Sequence, residues 1–289
     1  MRSERCATPT ANAVPDARQG ASVASFYRFK PVPDSQALRE AVEASCTRRS
    51  LRGTVLLAPE GVNAALAGSR RDLETVIVGH FPGVDVKWSS AAPGNPVFRR
   101  LRVRIRPEIV TFDLPLSPST PVGKHVSATA WNQLITDPDV IALDVRNDYE
   151  SDVGTFKGAT RAATGNFRDF RDFVAREHGN DQRRPIAMFC TGGIRCEKAS
   201  AFLLALGFEN VYQLDGGILK YFAATTDADN AFDGECFVFD ERVSVTAELA
   251  QGNFELCGSC GRPLSLNDRE SPRCERRIGC SACYGRVGT

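Results

Sequence analysis

The chain has 289 residues, 42% hydrophobic and 25% charged, with a formal net charge of +1 at pH 7. That length supports two or more domains, each with its own core, while the balanced charge excludes nucleic-acid binding by overall attraction and leaves only a local basic patch for it. No apolar run of roughly eighteen residues or more occurs, so no transmembrane helix is expected.

Residues 1–23 lack an apolar signal core and read as a disordered polar tail. Without a secretory signal, the ten cysteines point to metal or redox chemistry rather than disulfides, and the chain is expected in the cytoplasm. Ala24 to Lys30 has the character of a strand, and Asp34 to Ser45 places Leu38, Ala41 and Val42 on one helical face. Gly53 to Pro59 gives a second strand, Glu60 to Asn63 a turn and Ala64 to Ala67 a third strand. Ser69 to Gly79 gives a second helix and Val84 to Trp88 a further strand. The order strand, helix, strand, strand, helix, strand predicts a ferredoxin-like α+β domain over 24–106.

Its last stretch, Phe98 to Arg106, alternates Leu101, Val103 and Ile105 with Arg100, Arg102, Arg104 and Arg106. A strand here is apolar on one face and guanidinium on the other, with alternate side chains about 6.7 Å apart. The four arginines are candidate RNA-binding residues, since that spacing suits successive phosphates. An edge strand guarded by charge against aggregation carries the same pattern.

Residues 107–125 are proline-rich with little periodicity and serve as a linker. Ser127 caps a helix through Trp131 to Leu134, opening a second domain over 126–226 with alternating strands and helices. Phe167, Phe170 and Phe173 lie three apart, the spacing of a helix packed on a core.

The chemistry centres on Pro185 to Ser200. Ile186 to Phe189 is a short apolar strand that stops at Cys190-Thr-Gly-Gly-Ile-Arg195-Cys196, and a helix follows with Ala199, Phe202, Leu203 and Leu206 on one face and Gly207 at its end. Cys190 therefore opens a tight loop at a helix N-terminus, where loop N–H groups, the helix dipole and Arg195 all favour thiolate over thiol. A buried thiol ending a strand is the plainer alternative.

The last segment, 227–289, begins with a strand at Gly234 to Arg242 and ends in Cys257-x-x-Cys260 and Cys280-x-x-Cys283. Two such pairs suit a four-thiolate zinc site, structural because four protein ligands leave no open position. Cys274 is a spare thiol. Arg262, Arg269, Arg273, Arg276, Arg277 and Arg286 make the segment basic, a second candidate surface for RNA.

Cysteine, four residues, arginine, then a helix and Val211-Tyr-Gln-Leu-Asp-Gly-Gly-Ile218, resembles the active loop and following strand of rhodanese domains. Ile141-Ala-Leu-Asp-Val-Arg146 through Glu150, with Gly154-Thr-Phe, resembles the start of such a domain. In that family the loop cysteine carries a persulfide or acts as a nucleophile, and Cys190 takes that position. Together with Gly53-Thr-Val-Leu-Leu-Ala-Pro-Glu-Gly-Val-Asn63 in an acylphosphatase-like front domain and Gly234-Glu-Cys-Phe-Val-Phe-Asp240, the arrangement resembles the rhodanese-containing tRNA uridine(34) hydroxylases over roughly 24 to 283. The resemblance implies oxygen-dependent hydroxylation of the wobble uridine at C5 in the tRNA anticodon loop, with O2 and an unidentified electron donor as co-substrates. The resemblance puts Cys190 at the active position. On residue chemistry, a Cys190 thiolate can add to uracil C6, with Arg195 and the loop N–H groups expected to stabilise the enolate oxygen; Cys196, where many sulfur-transferring rhodaneses have serine or threonine, is a candidate resolving cysteine.

No catalytic cofactor is evident. His80, His125 and His178 are scattered, each reading as a surface or capping histidine, and no Gly-x-Gly-x-x-Gly turn offers a dinucleotide site. Gly154-Thr-Phe stands where a Gly-His-Ile turn is frequent in rhodaneses, which removes one proton carrier. Two other functions fit the same residues: a sulfurtransferase passing a Cys190 persulfide to tRNA or protein, and an RNA-binding or redox-sensing module independent of Cys190.

Overall fold

The computed structural model describes residues 20–94, 96–177, 181–270, 280 and 283. The front domain contains β1 (Ser22–Phe29), α1 (Ser35–Arg48), β2 (Arg52–Ala58), β3 (Gly61–Gly68), α2 (Arg70–His80) and β4 (Lys87–Ser90), in the expected order. Asp34 and Ser69 cap the two helices, accepting from the backbone N–H of Ala37 and Asp72 at 2.8 and 3.2 Å. The strands pair antiparallel in the order β4-β1-β3-β2, the ferredoxin-like arrangement. The arginine strand, β5 (Leu101–Ile105), adds a fifth at the edge, parallel to β2.

Period-two alternation splits this sheet into two unlike faces. Ala24, Phe26, Val55, Leu57, Ala64 and Leu66 pack against Val42, Leu73 and Val76 of the helices. Ser25, Tyr27, Thr54, Leu56, Asn63 and Ala65 occupy the other face, which lies over the second domain.

Several boundaries differ from expectation. Ser22 and Val23, expected in the tail, belong to β1, and Val23 is fully buried; the tail residues 1–19 lie outside the described residues. The turn after β2 is shorter than Glu60–Asn63 because β3 already starts at Gly61, where a Cβ would stand 2.0 Å from the Arg28 carbonyl oxygen and only glycine admits the close pairing. β4 begins at Lys87 rather than Val84, after a turn at Gly83 with φ +76°. β5 is shorter than Phe98–Arg106, since Phe98 packs instead with Val23, Ala67, Ala91 and Val97.

The second domain runs through β6 (Lys124–Val126), α3 (Ala128–Leu134), β7 (Ile141–Asp144), α4 (Asp148–Ser151), β8 (Gly154–Phe156) and β9 (Thr160–Arg161). A 3₁₀ turn at Phe167–Asp169, α5 (Phe170–Glu177), β10 (Ile186–Phe189), α6 (Ile194–Ala205), β11 (Val211–Leu214) and α7 (Gly217–Ala224) complete it. Its sheet, β6-β11-β10-β7-β9, is parallel throughout. β7 and β10 are buried at every position, as central strands covered on both faces must be. Leu143, Ile186 and Met188 pack with α5 and α6 on one side, where Phe170 and Phe173 fill the core as their spacing predicts. Ala187, Phe189 and Leu214 pack with Trp131 and α7 on the other.

Two connections depart from the sequence reading. The segment expected as a linker over 107–125 is a packed strap: Ile109, Phe112 and Leu116 are buried, and Phe112 stacks on Phe167 with 4.5 Å between ring centres. Its final residues form β6, so the second sheet begins at Lys124. After the second domain come β12 (Phe232–Gly234), paired with β8, then the short pairs β13 (Cys236–Phe237) with β14 (Ser244–Val245) and β15 (Glu255–Leu256) with β16 (Pro263–Leu264), and α8 (Leu266–Glu270). The single strand expected over 234–242 is thus broken: Gly234 ends β12, Cys236–Phe237 form β13, and a turn follows. Val238 N–H donates to the Val243 carbonyl at 2.9 Å, and Asp240 and Arg242 pair at 2.7 Å with their side chains almost wholly buried.

The domains are tied by buried charge. Lys198, on α6 and wholly buried, lies 2.9 Å from the Glu60 carboxylate and also pairs with Glu108 of the strap. Glu60 accepts the strap N–H groups of Ile109 and Leu116 as well, at 2.8 and 3.1 Å. Removing one partner of such a buried set leaves an uncompensated charge and costs about 3–5 kcal/mol. Arg242 bonds Ser89 Oγ and the Ser90 carbonyl at 2.8 and 3.0 Å, fixing the C-terminal segment to β4. The uncovered face of the front sheet is thereby held in one position over the Cys190 loop.

Candidate active site

Cys190 leaves the end of β10 and begins a loop that turns at Gly193, whose φ of +97° makes it the left-handed N-cap of α6. The loop is held from behind by α7. Ile218 N–H and Leu219 N–H donate to the Cys190 and Thr191 carbonyls at 3.0 and 3.1 Å, and a Cβ on Gly217 would stand 2.4 Å from the Cys190 carbonyl oxygen. Gly217 is thus required by close approach.

The Cys190 sulfur accepts the Gly193 N–H at 3.1 Å. Burial pushes its pKa up, but the Cys196 thiol as donor, the Arg195 charge and the N–H groups of Cys196 and Arg195 outweigh it, bringing the thiol down to about 6. Cys196 moves the opposite way, well above the ordinary thiol value, because of burial, the bond it gives Cys190 and the neighbouring thiolate. At neutral pH the pair is one thiolate held by one thiol.

Arg195 points inward. Its two Nη atoms bind the two oxygens of Glu150 at 2.6 and 2.7 Å. The bidentate pair commits the guanidinium to the loop, so its effect on Cys190 runs through charge. The Glu150 carbonyl in turn accepts from Arg146 Nη1 at 3.5 Å. Arg146 Nε and Nη2 reach the Asp144 oxygens at 2.8 and 2.6 Å, Asp144 also accepts from Ser151 and Thr155 at 2.9 Å, and the Glu150 side chain caps the start of α4 by accepting the Asn147 N–H at 3.1 Å.

Above the loop lies a cavity of about 1160 Å³. It is larger than the roughly 300–1,000 Å³ of small-molecule pockets. Cys190, Thr191, Gly192 and Arg195 line it from below, and Ser25, Tyr27, Thr54, Leu56, Asn63 and Ala65 of the front sheet from above. The strap from Arg106 to Asp113, Asn166 to Asp169, and Val238 to Asp240 complete its walls. Cys190 has no solvent-exposed surface, although it is among the residues that line the cavity, so a reacting group must enter the cavity to approach the sulfur.

The four arginines separate here. Arg106 lines the cavity; Arg100, Arg102 and Arg104 are exposed and do not. Arg102 and Arg104 stand opposite Thr54 and Leu56 in register, so they extend the cavity-facing side of the sheet toward its edge. β5 is also an edge strand, as the alternative reading of its charges held.

Sequence reasoning missed Tyr27, Glu150, Glu197 and Phe239 as site residues. Tyr27 O–H donates to Glu197 Oε1 at 2.9 Å, and His125 Nε2 reaches the same oxygen at 3.0 Å. His125 is half exposed as expected and its pKa is raised, first by the bond to Glu197. His80 lies in the last turn of α2; His178 lies outside the described residues. The signal available for Tyr27 was alternation: with Ser25 it stands on the strand face opposite Ala24 and Phe26. Glu150 lay inside the quoted Asp144 to Glu150 string, but only the fold joins it to Arg195.

Away from the cavity, the sulfurs of Cys257, Cys260, Cys280 and Cys283 all lie within 4.8 Å of one another. Three of their separations are 3.9, 3.7 and 3.7 Å. A tetrahedral ion with sulfur bonds of about 2.3 Å separates its ligands by about 3.8 Å, so this cluster can hold a metal. Arg262 is 3.6 Å from Asp152 and Arg269 pairs with Glu255, so neither is an uncommitted cation. Cys274, Arg273, Arg276, Arg277 and Arg286 lie outside the described residues.

The fold and loop define a rhodanese-domain protein whose cysteine loop is roofed by an acylphosphatase-like sheet. Two family models match accordingly, a UPF0176 acylphosphatase like domain over residues 21–109 and a Rhodanese-like domain over 127–224. A tRNA uridine(34) hydroxylase of Mesorhizobium japonicum is 43% identical over 272 residues, covering 92% of this chain and 87% of that one. Those of Teredinibacter turnerae and Agrobacterium fabrum are 41% and 42% identical, each covering 91% of this chain and 83% and 85% of theirs. The chain belongs to the tRNA uridine(34) hydroxylase family. Among the described residues no helix is long and apolar enough to cross a membrane.

The depressed Cys190 value has a direct test. Thiolate absorbance near 240 nm, taken as wild type minus Cys190→Ser, should rise with a midpoint of about pH 6. Because the folded-state value lies below that of the unfolded thiol, ionisation stabilises the fold increasingly as pH rises from about 6 to about 9, and the benefit is lost as pH falls through 6. A midpoint near 9 would show that the loop does not hold the anion.

Proposed function

We propose that this protein hydroxylates uridine 34 of tRNA at C5, with Cys190 as nucleophile. The observation that carries the reading is a thiol drawn down to about pH 6 beneath a cavity walled by both domains, in a chain 43% identical to a tRNA uridine(34) hydroxylase. The anticodon base is single-stranded and can be splayed into such a cavity. Arg106 in the wall, with Arg102 and Arg104 along the adjoining edge, supplies cationic contacts for the backbone that carries it.

The thiolate adds to C6 of uracil, moving an electron pair to C5, which bonds dioxygen and takes a proton as a C5 hydroperoxide. An external donor gives two electrons, two protons enter, the O–O bond breaks, and water leaves a C5 hydroxyl. Loss of the C5 proton then expels the thiolate from C6. The sum is uridine, O2, two electrons and two protons to 5-hydroxyuridine and water. Arg195, bound to Glu150, keeps the sulfur anionic between turnovers, and Cys196, whose thiol donates to the Cys190 sulfur, resolves an oxidised Cys190 as a disulfide. The substrate places the protein in the cytoplasm. We assign residues 20–106 to the front domain, 107–123 to the strap, 124–226 to the rhodanese domain and the remainder to a segment closed by zinc at the four cysteines.

Nucleoside mass spectrometry of tRNA from cells lacking the native enzyme tests the activity. Wild type should restore 5-hydroxyuridine and Cys190→Ser should lower it by more than about 100-fold, the scale on which loss of a nucleophile acts. Full restoration by Cys190→Ser removes the nucleophile, and loss of a thiolated base instead points to sulfur transfer. Metal analysis of the purified protein should find one zinc per chain, with less in Cys257→Ser; a metal-free, equally stable wild type contradicts the structural zinc.

A further inference from the structure

Phe239 is 64% exposed, yet it lies on a segment with little freedom. Before it, the Phe237 carbonyl accepts from Thr191 Oγ1 at 3.5 Å, which joins the segment to the residue after Cys190. After it, Asp240 is locked to Arg242, and Arg242 to the front domain. Phe237 supports the ring edge-on from below, with 5.2 Å between centres, and the Arg195 guanidinium lies 5.8 Å from its centre. A large apolar ring left mostly in water contributes only a fraction of what its full burial would give the fold. It also lines the cavity above Cys190, with Arg106 and Arg168 in the same lining.

A rigid exposed aromatic beside a cationic wall is the arrangement by which proteins hold single-stranded nucleic acid, bases stacking on the ring while arginines take the phosphates. The position decides which base. Cys190 has no solvent exposure and the reacting base must go down to it, whereas Phe239 is largely open, so the ring meets a base that stays outside. We infer that Phe239 is a stacking platform for the nucleobase next to the target, gripping the RNA strand at the mouth while its neighbour is splayed toward Cys190. The inference rests on the proposed RNA substrate and adds to it a binding determinant from the C-terminal segment.

The test is binding of a fluorescent anticodon stem-loop RNA with uridine at the wobble position, to the full chain and without turnover. Stacking is worth a factor of about 5 to 150 per base, so Phe239→Ala and Phe239→Leu should each weaken binding within that range. Phe239→Trp should bind as wild type does. RNA made abasic on one side of the wobble uridine should bind wild type more weakly by the same factor and show no further loss with Phe239→Ala. Melting temperatures should match, since the ring is exposed. Binding within twofold of wild type for Phe239→Ala and Phe239→Leu, or equal losses on intact and abasic RNA, overturns the inference while the hydroxylase reading stands. Failure of wild type to bind the stem-loop overturns both.

Discussion

Burial alone would keep the Cys190 sulfur protonated, and the rest of the site acts against that. A sulfur without solvent stays charged only if protein donors replace water, and here they are the Gly193 N–H, the Cys196 thiol, neighbouring N–H groups and the charge of Arg195. Each has its own requirement. Gly193 must take a left-handed conformation, Gly217 must have no side chain, and Arg195 must be held by Glu150, itself placed through Asp144 and Arg146. Two buried ion pairs, Asp144–Arg146 and Glu150–Arg195, joined by Arg146 Nη1 donating to the Glu150 carbonyl at 3.5 Å, thus lie between the end of β7 and the thiolate.

The front domain is part of the same constraint. One face of its sheet packs on its own helices, and the other, carrying Ser25, Tyr27, Thr54, Leu56, Asn63 and Ala65, lines the cavity. The strap, the buried Lys198 with its two carboxylates, and Arg242 against β4 set that face over the loop. The result is a two-sided cavity with a nucleophile below and a hydrogen-bonding sheet above, which a rhodanese domain by itself would not form.

The architecture was largely legible in the sequence because its periodicities are local. The element order of the front domain, the buried strand ending at Cys190 and the phenylalanine spacing in α5 all follow from patterns within a dozen or so residues. What escaped was set by contacts distant in sequence. The residues 107–123 look like a spacer because their burial depends on Glu60 and Phe167, neither visible locally. Arg195 reads as a free cation until Glu150, forty-five positions away, is folded against it. Phe239 reads as one more apolar residue of a strand, and only the turn locked by Asp240 and Arg242 leaves it in the open. The four arginines were read as a row, but Arg106, the one that lines the cavity, lies just past the end of β5, and the register of β5 on β2 leaves Arg102 and Arg104 toward the sheet edge.

The central claim is that the Cys190 thiolate adds to C6 of the target uracil. Without oxygen, that addition leaves a carbanion at C5 that can only pick up a solvent proton, and reversal then exchanges the C5 hydrogen. An anticodon stem-loop incubated anaerobically in D2O with the wild-type protein should therefore gain one deuterium on the wobble uridine, read by mass spectrometry, and none with Cys190→Ser. No exchange with wild type, or equal exchange with both, would contradict the account.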